Sequence, residues 1–252
     1  MAKKYYVVWS GRETGVFNDW STCKKSIDKF SGARYKSFPS LVEAEAAFAR
    51  GGPGGGAVNS NKKPSKSITD ASSLGKYEVE IYCDGGCDPN PGKAGSGSAV
   101  YREGKLAELW YGLFNSHGTN NTAELNALHQ SLLVAENAIK AKKTVAIYCD
   151  SQYSINCASV WAYDWKKNDW KKKGAKKGGG EIKNLDLIKE IHGLYDRIQD
   201  DLQLLHVKAH VGIEGNEPAD RMTMIAVDRQ ELSYTQYTDG LDIGALLNMR
   251  SG

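Results

Sequence analysis

Two short apolar runs that each end in an aspartate constrain the fold of this 252-residue chain most strongly. Residues 77–83 lead into Asp84, and residues 145–149 lead into Asp150. Apolar side chains alternate along the first run, which predicts a β-strand with one buried face. Ligands of open α/β sheets usually bind at strand ends. Both carboxylates are therefore expected to project from strand ends of such a sheet, in the region where a ligand binds.

Two further carboxylates lie in equally distinctive settings. Glu124 in TNNTAEL and Asp220 in GNEPADR each fall in the expected first turn of a helix. Four such carboxylates indicate a site for hard divalent ions such as Mg²⁺, which prefer oxygen ligands. Two ions holding a phosphodiester would stabilise both the attacking and the leaving oxygen of an in-line displacement. Taken singly, each residue also has a structural explanation: a turn or cap for the aspartates at strand ends, helix-dipole stabilisation for Glu124, and a solvated charge for Asp220.

The remaining periodicity predicts a mixed sheet covered by helices. Strands are expected near residues 97–101, 107–114, 144–149 and 202–207. Helices are expected from about residues 122, 151 and 217, and over residues 185–198. The helix from about residue 122 should place one apolar stripe against the sheet, since apolar residues recur at spacings of three and four: Leu125, Leu128, Leu132, Ala135 and Ile139.

Composition divides the chain into segments. Residues 51–75 are rich in Gly, Ser, Lys and Pro and predict a flexible basic linker. The linker separates a small module, residues 1–50, from a larger one, residues 76–230, and residues 231–252 form a tail without an assigned role. No apolar stretch approaches the roughly 18 residues that span a membrane, and no signal peptide is evident, so a cytoplasmic protein is expected. The five cysteines form no CxxC pair and are expected to be free thiols.

The motifs around the four carboxylates closely resemble those of type 1 ribonucleases H, over residues 77 to about 229. The resemblance implies a mixed five-stranded sheet flanked by helices and hydrolysis of the RNA strand of RNA/DNA hybrids. It implies two Mg²⁺ ions per site, with Mn²⁺ as a possible substitute, and products that end in 5′-phosphate and 3′-hydroxyl groups. Asp84 would bridge both ions, the other three carboxylates would complete their shells, and His210 would assist proton transfer or product release.

The resemblance also implies substrate contacts. Asn90, Asn120 and Asn121 align with positions that contact RNA hydroxyls, although Asn90 lies in DPNPG and also suits a purely structural turn. Thr119 and Asn184 match a DNA-phosphate pocket in which His117 stands where some relatives carry Arg. Residues 161–180 carry seven lysines between Lys166 and Lys177 and match the family's basic handle. The family's aromatic channel for the DNA strand corresponds to Tyr153, Trp161 and Trp165. Alternatively, Trp161 or Trp170 would be a core residue.

The amino-terminal module, residues 3 to about 50, resembles the small α+β hybrid-binding domain that precedes the catalytic domain in many of these enzymes. The family's hybrid-contacting positions fall on Tyr6, Trp20, Arg34, Tyr35 and Lys36, with Ser37 where a second lysine often follows. Tyr6 and Trp20 would alternatively be packing residues.

The expected partner is an RNA/DNA hybrid duplex, with no membrane and no obligate protein partner. Two other functions stay open: a noncatalytic hybrid-binding protein that keeps the fold, and a nuclease or integrase of the same superfold acting on DNA.

Overall fold

The computed structural model describes residues 4–28, 30, 33–38, 44, 48, 75–172, 181–207 and 215–251. The chain divides into two compact units, residues 1–63 and 64–252. The described helices include none that is long and apolar enough to cross a membrane.

The first unit contains an antiparallel sheet of three strands in the order β2-β1-β3: β1 (Tyr5–Ser10), β2 (Gly15–Phe17) and β3 (Arg34–Phe38). Helix α1 (Trp20–Ile27) begins after Asp19, whose carboxylate accepts a hydrogen bond from the Thr22 backbone N–H at 2.8 Å. Hydrogen bonds from Ser21 and Thr22 lower the pKa of Asp19 to about 2. Cys23 of this helix and Val7 and Val8 of the central strand are fully buried, so they form the core of this unit.

The second unit is built on a mixed sheet of six strands in the order β8-β7-β4-β5-β6-β9. The strands are β4 (Val79–Asp88), β5 (Gly92–Arg102), β6 (Lys105–Gly118), β7 (Val145–Cys149), β8 (Leu202–His206) and β9 (Thr235–Gln236). Strand β4 pairs antiparallel with β5 and parallel with β7, which pairs parallel with β8. The predicted mixed sheet is confirmed, with the two-residue β9 added to the five expected strands.

Helices cover both faces of this sheet: α2 (Asn120–Lys140), α3 (Gln152–Asn156), α4 (Ala162–Lys167), α5 (Leu185–Ile198), α6 (Asn216–Arg229) and α7 (Ile243–Leu247), with a π-helix at Cys157–Trp161. The predicted stripe on α2 is confirmed, because Leu125, Leu128, Leu132 and Ala135 are fully buried in the core that α2 and α5 share with one face of the sheet. The opposite core contains Ala219, Met222 and Ala226 of α6, together with the stacked rings of Tyr82 and Tyr148.

Two carboxylates that were expected in the first turn of a helix lie in the second turn. Thr119 caps α2 by accepting a hydrogen bond from the Thr122 N–H, so the helix begins at Asn120 and Glu124 is its fifth residue. Helix α6 begins at Asn216, which makes Asp220 its fifth residue as well. Both carboxylates therefore lie in the second turn, where they face the sheet instead of the exposed helix end.

The carboxy-terminal tail packs on the sheet, a role that its sequence does not predict. The Phe114 N–H donates to the Glu231 carbonyl at 2.8 Å, and β9 pairs antiparallel with β6. The ring of Tyr234 stacks on that of Trp110, with ring centres 6.1 Å apart, and its hydroxyl donates to Ser98 Oγ at 2.7 Å. Gly112 permits this crossing, because a Cβ there would lie 1.9 Å from the Ser233 carbonyl oxygen.

Candidate active site

Parallel pairing of β4 with β7 brings the first two carboxylates together. The register pairs Cys83 with Cys149, so Asp84 and Asp150 follow the last paired residues of two neighbouring strands. Strand β4 does not end at Cys83 as predicted, because its antiparallel pairing with β5 continues to Asp88. Asp84 consequently projects from inside a strand whose backbone is held by β5, which fixes its position more firmly than a loop would.

A glycine allows the first turns of α2 to approach Asp84 closely. A Cβ on Gly85 would lie 2.1 Å from the backbone nitrogen of Glu124 and 2.2 Å from the carbonyl carbon of Ala123. Since real Cβ atoms do not come so near to backbone atoms, only glycine permits this packing. The Ser96 hydroxyl adds a hydrogen bond of 2.8 Å to the Ala123 carbonyl. These contacts place Glu124 beside the end of the parallel pairing.

Glycines also admit α6 on the other face of the sheet. A Cβ on Gly97 would lie 2.4 Å from the Ala219 carbonyl oxygen, and a Cβ on Gly95 would lie 2.8 Å from the Thr223 carbonyl oxygen. Gly97 is the cross-strand partner of Asp84. The close approach at this position brings Asp220 to Asp84.

The four carboxylates interact electrostatically. Burial, followed by the charges of Asp150 and Asp220, raises the pKa of Asp84 well above its ordinary value of 3.8, and a protonated Asp84 donates a hydrogen bond to Asp220. Burial, followed by the charge of Asp84, raises the pKa of Glu124. Like charges at close range disfavour joint ionisation. The cluster therefore favours a bound cation.

The donor atoms of the cluster fit a divalent metal. Glu124 is only 8% exposed, and its Oε2 atom is buried without a hydrogen-bond partner among the described residues. One ligand atom each from Glu124, Cys149 and Asp150 lies within 4.8 Å of the other two. Carboxylate oxygens suit Mg²⁺ and Mn²⁺. The Cys149 sulfur lies beside these oxygens, a neighbour that the motifs do not predict.

Two further side chains brace the cluster. Arg221 is buried, and its guanidinium donates to Asp220 Oδ2 at 2.5 Å while lying 3.4 Å from Glu217 Oε2. His206 Nε2 lies 3.1 Å from the carbonyl oxygen of Asp150. Sequence reasoning missed both residues, although the position of Arg221 next to Asp220 in PADR is a signal for an ion pair. His210, the remaining predicted catalytic residue, lies outside the described residues.

The residues expected to contact RNA and the DNA phosphate form two hydrogen-bonded groups. Asn90 Oδ1 accepts from the Asn120 N–H at 3.2 Å, whereas Asn121 is exposed on the same helix end. Thr119 Oγ1 and Thr122 Oγ1 lie 2.8 Å apart, and Thr122 donates to Asn184 Oδ1 at 3.2 Å. Thr122 is thus a link between Thr119 and Asn184 that the predictions do not include.

Three aromatic rings predicted to grip the DNA strand lie in a row. The ring centres of Tyr153 and Trp161 are 5.9 Å apart, and those of Trp161 and Trp165 are 5.8 Å apart. Trp161 is 37% exposed, which fits an accessible surface better than the alternative core role. Trp170 instead packs against the core, with its ring 6.1 Å from that of His192. The handle is described only to Lys172, and the predicted lysines beyond it lie outside the described residues.

In the first unit, three of the predicted hybrid contacts form an aromatic cluster. The ring of Trp20 lies 5.3 Å from that of Tyr6 and 5.9 Å from that of Tyr35. Trp20 and Tyr35 are 43% and 47% exposed, so this surface is open to a ligand. Lys36 projects from the opposite face of β3, where its ammonium lies 5.6 Å from the centre of the Phe38 ring. Arg34 is exposed on the same strand.

Comparisons with known proteins agree with this architecture. The family described as RNase H matches residues 76–228, and the Ribonuclease H1 N-terminal domain matches residues 4–48. Ribonuclease H1 of Rattus norvegicus is 30% identical over 267 aligned positions, which cover 90% of this chain and 90% of that protein. Ribonuclease H of Methylobacillus flagellatus is 36% identical over 151 positions, or 60% of this chain and 92% of the relative.

A solved structure shows the same fold. The foamy viral protease-reverse transcriptase in complex with RNA/DNA hybrid aligns with a TM-score of 0.53 and 19% identity, over 68% of this chain and 22% of that chain. The sheet and its covering helices are thus those of the ribonuclease H class of α/β domains. Because the RNase H match covers more than half of the chain and the Ribonuclease H1 N-terminal domain match precedes it, the chain belongs to the ribonuclease H family and carries the N-terminal domain of ribonuclease H1.

Proposed function

We propose that the chain is a metal-dependent endonuclease that hydrolyses the RNA strand of RNA/DNA hybrids and leaves 5′-phosphate and 3′-hydroxyl ends. The observation that carries the proposal is the convergence of Asp84, Glu124, Asp150 and Asp220 on one edge of the parallel strands. The match to relatives named ribonuclease H1 over 90% of their length supports the choice of substrate.

The four carboxylates would hold two Mg²⁺ ions, for which Mn²⁺ is a possible substitute. Bound ions would polarise the scissile phosphate, lower the pKa of the attacking water and neutralise the leaving oxygen. The residues themselves fix the site, since Asp84 is held by β5 and Glu124 by the close approach at Gly85. Arg221 keeps Asp220 oriented through its 2.5 Å hydrogen bond. His210 is proposed to carry a proton or assist product release, since imidazole titrates near neutral pH.

Strand discrimination would rest on the groups flanking the carboxylates. Asn90, Asn120 and Asn121 are proposed to contact 2′-hydroxyl groups, which act as both donor and acceptor and distinguish RNA from DNA. The linked pair Thr119 and Asn184 would hold a phosphate of the DNA strand. Tyr153, Trp161 and Trp165 would stack along that strand, since aromatic faces and basic residues together suit nucleic-acid grooves.

The amino-terminal unit is proposed to bind the same hybrid. Tyr6, Trp20 and Tyr35 present an exposed aromatic surface, and Arg34 and Lys36 add positive charge on their strand. The segment 51–75, predicted as a linker, would span on the order of 25 to 30 Å as a coil, enough for both units to hold one duplex. Tethering would raise the effective concentration of the second contact to roughly the millimolar range. A cytoplasmic location stays a prediction from the sequence.

Cleavage of end-labelled RNA in an RNA/DNA hybrid tests the proposal. The native chain should cleave with Mg²⁺ and not with chelator, and Asp84→Asn should nearly abolish the reaction. Asp201→Asn is the matched control and should keep the native rate. Asp201 lies in an exposed turn just before β8, at the opposite end of the parallel strands from the carboxylates. Tight hybrid binding without cleavage by the native chain would favour the noncatalytic alternative. Cleavage of double-stranded DNA in a parallel assay would favour the DNA-acting one.

A further inference from the structure

A buried thiol lies directly beside the carboxylates. Cys149 is the last residue of β7 and has no solvent exposure. Its sulfur, one oxygen of Glu124 and one oxygen of Asp150 all lie within 4.8 Å of one another. Among the described residues this is the one group of three His, Cys, Asp or Glu side chains with such spacing.

The donor set differs from that of a purely hard metal site. Sulfur ligands select soft or borderline ions such as Zn²⁺ and Cd²⁺, whereas Mg²⁺ takes oxygen ligands. Glu124 contributes a second, independent indication, because it is 8% exposed and its Oε2 atom is buried without a hydrogen-bond partner in the described part of the chain. An orphaned oxygen of this kind is costly unless a ligand satisfies it.

We propose that Glu124, Cys149 and Asp150 form a binding site for Zn²⁺ or Cd²⁺ that overlaps the Mg²⁺ site. The ion would replace the thiol proton, which passes to the buffer as the metal–sulfur bond forms. The bound ion would then occupy two carboxylates that the nuclease reaction needs, so it would inhibit cleavage. Binding of the soft ion follows from the donor atoms alone, whereas its competition with Mg²⁺ rests on the proposed function.

Neighbouring thiols do not provide the same donors. Cys83 pairs with Cys149 in the register, and its side chain shares a hydrogen bond with the Cys149 thiol. Its sulfur also contacts the Tyr148 carbonyl at 3.6 Å, and it does not join a three-ligand group in the described structure. Cys157 is buried in the core and Cys87 is half-exposed, so both serve as comparison sites for adventitious binding to a thiol.

Ultraviolet absorption of Cd²⁺ added to the metal-free 252-residue chain tests the site, because a cadmium–thiolate bond gives a charge-transfer band. The native chain, Cys87→Ser and Cys157→Ser should develop the band at one equivalent of Cd²⁺. Cys149→Ser and Cys149→Ala should lose it, with a fall in Cd²⁺ affinity of about tenfold or more by calorimetry. Mn²⁺ binding to Cys149→Ser should stay within about twofold of native, since Mn²⁺ prefers oxygen ligands.

The outcomes separate this inference from the nuclease proposal. A band that persists in both Cys149 variants, or no band in the native chain, overturns the soft-metal site whatever the cleavage assay shows. A Cys149-dependent band in a chain that does not cut hybrids supports the site and rejects the proposed function. In an active enzyme, Zn²⁺ should inhibit Mg²⁺-dependent cleavage by the native chain at concentrations about tenfold below those that inhibit Cys149→Ser. Circular dichroism of each variant confirms that it is folded.

Discussion

Asp84 is a residue at which folding and function oppose each other. Burial and the charges of Asp150 and Asp220 raise its pKa well above 3.8. The native state therefore binds a proton more tightly at Asp84 than the unfolded chain does. With fewer protons bound in the unfolded state, the free energy of unfolding falls as pH rises through and above pH 3.8 toward the native pKa. The metal-free protein is accordingly less stable at neutral pH than it would be without this charge.

Asp84→Asn should raise the free energy of unfolding of the metal-free protein at pH 7 by on the order of 1 kcal/mol, because it removes one of several repelling charges. Urea unfolding in chelator measures the change, and the difference from native should shrink toward pH 4. Asp201→Asn should leave stability within about 0.5 kcal/mol at both pH values. Equal or lower stability of Asp84→Asn at pH 7 would contradict the assigned electrostatics.

Site residues could be predicted from the sequence where a motif surrounds them. They could not be predicted where only a contact in the folded protein brings them to the site. The sequence indicates Asp84, Glu124, Asp150 and Asp220 through their flanking residues, and the structure brings their side chains together. Arg221 stands beside Asp220 in the chain, yet its burial and its 2.5 Å hydrogen bond depend on how α6 packs. A thiol beside two carboxylates is likewise a consequence of packing, because Glu124 reaches Cys149 and Asp150 only through the close approach of α2 to the sheet.

The carboxylate cluster forms because two helices, α2 and α6, pack unusually close to the sheet. Helix α2 approaches β4 at Gly85, and α6 approaches β5 at Gly95 and Gly97, on opposite faces of the sheet. In each case a Cβ would overlap backbone atoms, so the helix would have to move outward. Because Glu124 and Asp220 are carried on these helices, any outward movement separates their carboxylates from Asp84.

Gly85→Ala should lower the free energy of unfolding of the second unit by about 2 kcal/mol or more, since the added Cβ would lie 2.1 Å from the Glu124 nitrogen. It should also weaken Mg²⁺-dependent cleavage. Gly193→Ala is the matched control, because no atom lies within 4 Å of the Cβ it would add in helix α5. It should stabilise the protein by about 1 kcal/mol, the helix preference of alanine over glycine. Thermal unfolding and cleavage rates measure both variants, and a harmless Gly85→Ala would refute the packing argument.

Elements with strong local periodicity matched their predictions, whereas those fixed by distant partners did not. Helix α5 begins and ends at the predicted residues 185 and 198, since its apolar stripe is complete within its own sequence. Strand β4 exceeds its prediction because β5 supplies hydrogen bonds as far as Asp88. Strand β9 has two residues and exists only through its pairing with Trp110 and Tyr111. Neither periodicity nor a capping residue in the sequence predicts the π-helix at Cys157–Trp161.

The carboxy-terminal tail contributes to the stability of the second unit through Tyr234. Tyr234→Ala should lower the free energy of unfolding by about 2 to 3 kcal/mol, because it removes the ring stacked on Trp110. Tyr234→Phe keeps the ring and should cost about 1 kcal/mol, the hydrogen bond to Ser98. Leu232→Ala, at a side chain 71% exposed, should change little. Urea denaturation ranks the three, and equal effects at positions 232 and 234 would show that the tail is only a surface segment.

Two separate units make hybrid binding and cleavage separable properties of the whole chain. The carboxylates, the Thr119 and Asn184 pair and the aromatic row all belong to the second unit. The exposed aromatic surface of Trp20 and Tyr35 belongs to the first. Removing the first unit should therefore affect how long the enzyme stays on a hybrid and leave the chemistry of the bound state intact.

A chain that begins at Lys76 should keep Mg²⁺-dependent cleavage at saturating hybrid but bind the hybrid about tenfold or more weakly, because it loses the tethered second contact. Trp20→Ala in the full chain should move the affinity in the same direction, since truncating a large aromatic side chain at the centre of an interface commonly costs more than about 1 kcal/mol. The truncated chain also lacks the positive charges of the first unit. Its affinity for the hybrid should therefore depend less on salt concentration, since each phosphate contact releases counterions. Single-turnover cleavage and binding titrations at two salt concentrations separate the effects. If the truncated chain bound as tightly and cut as processively as the full chain, the first unit would have no part in holding the hybrid.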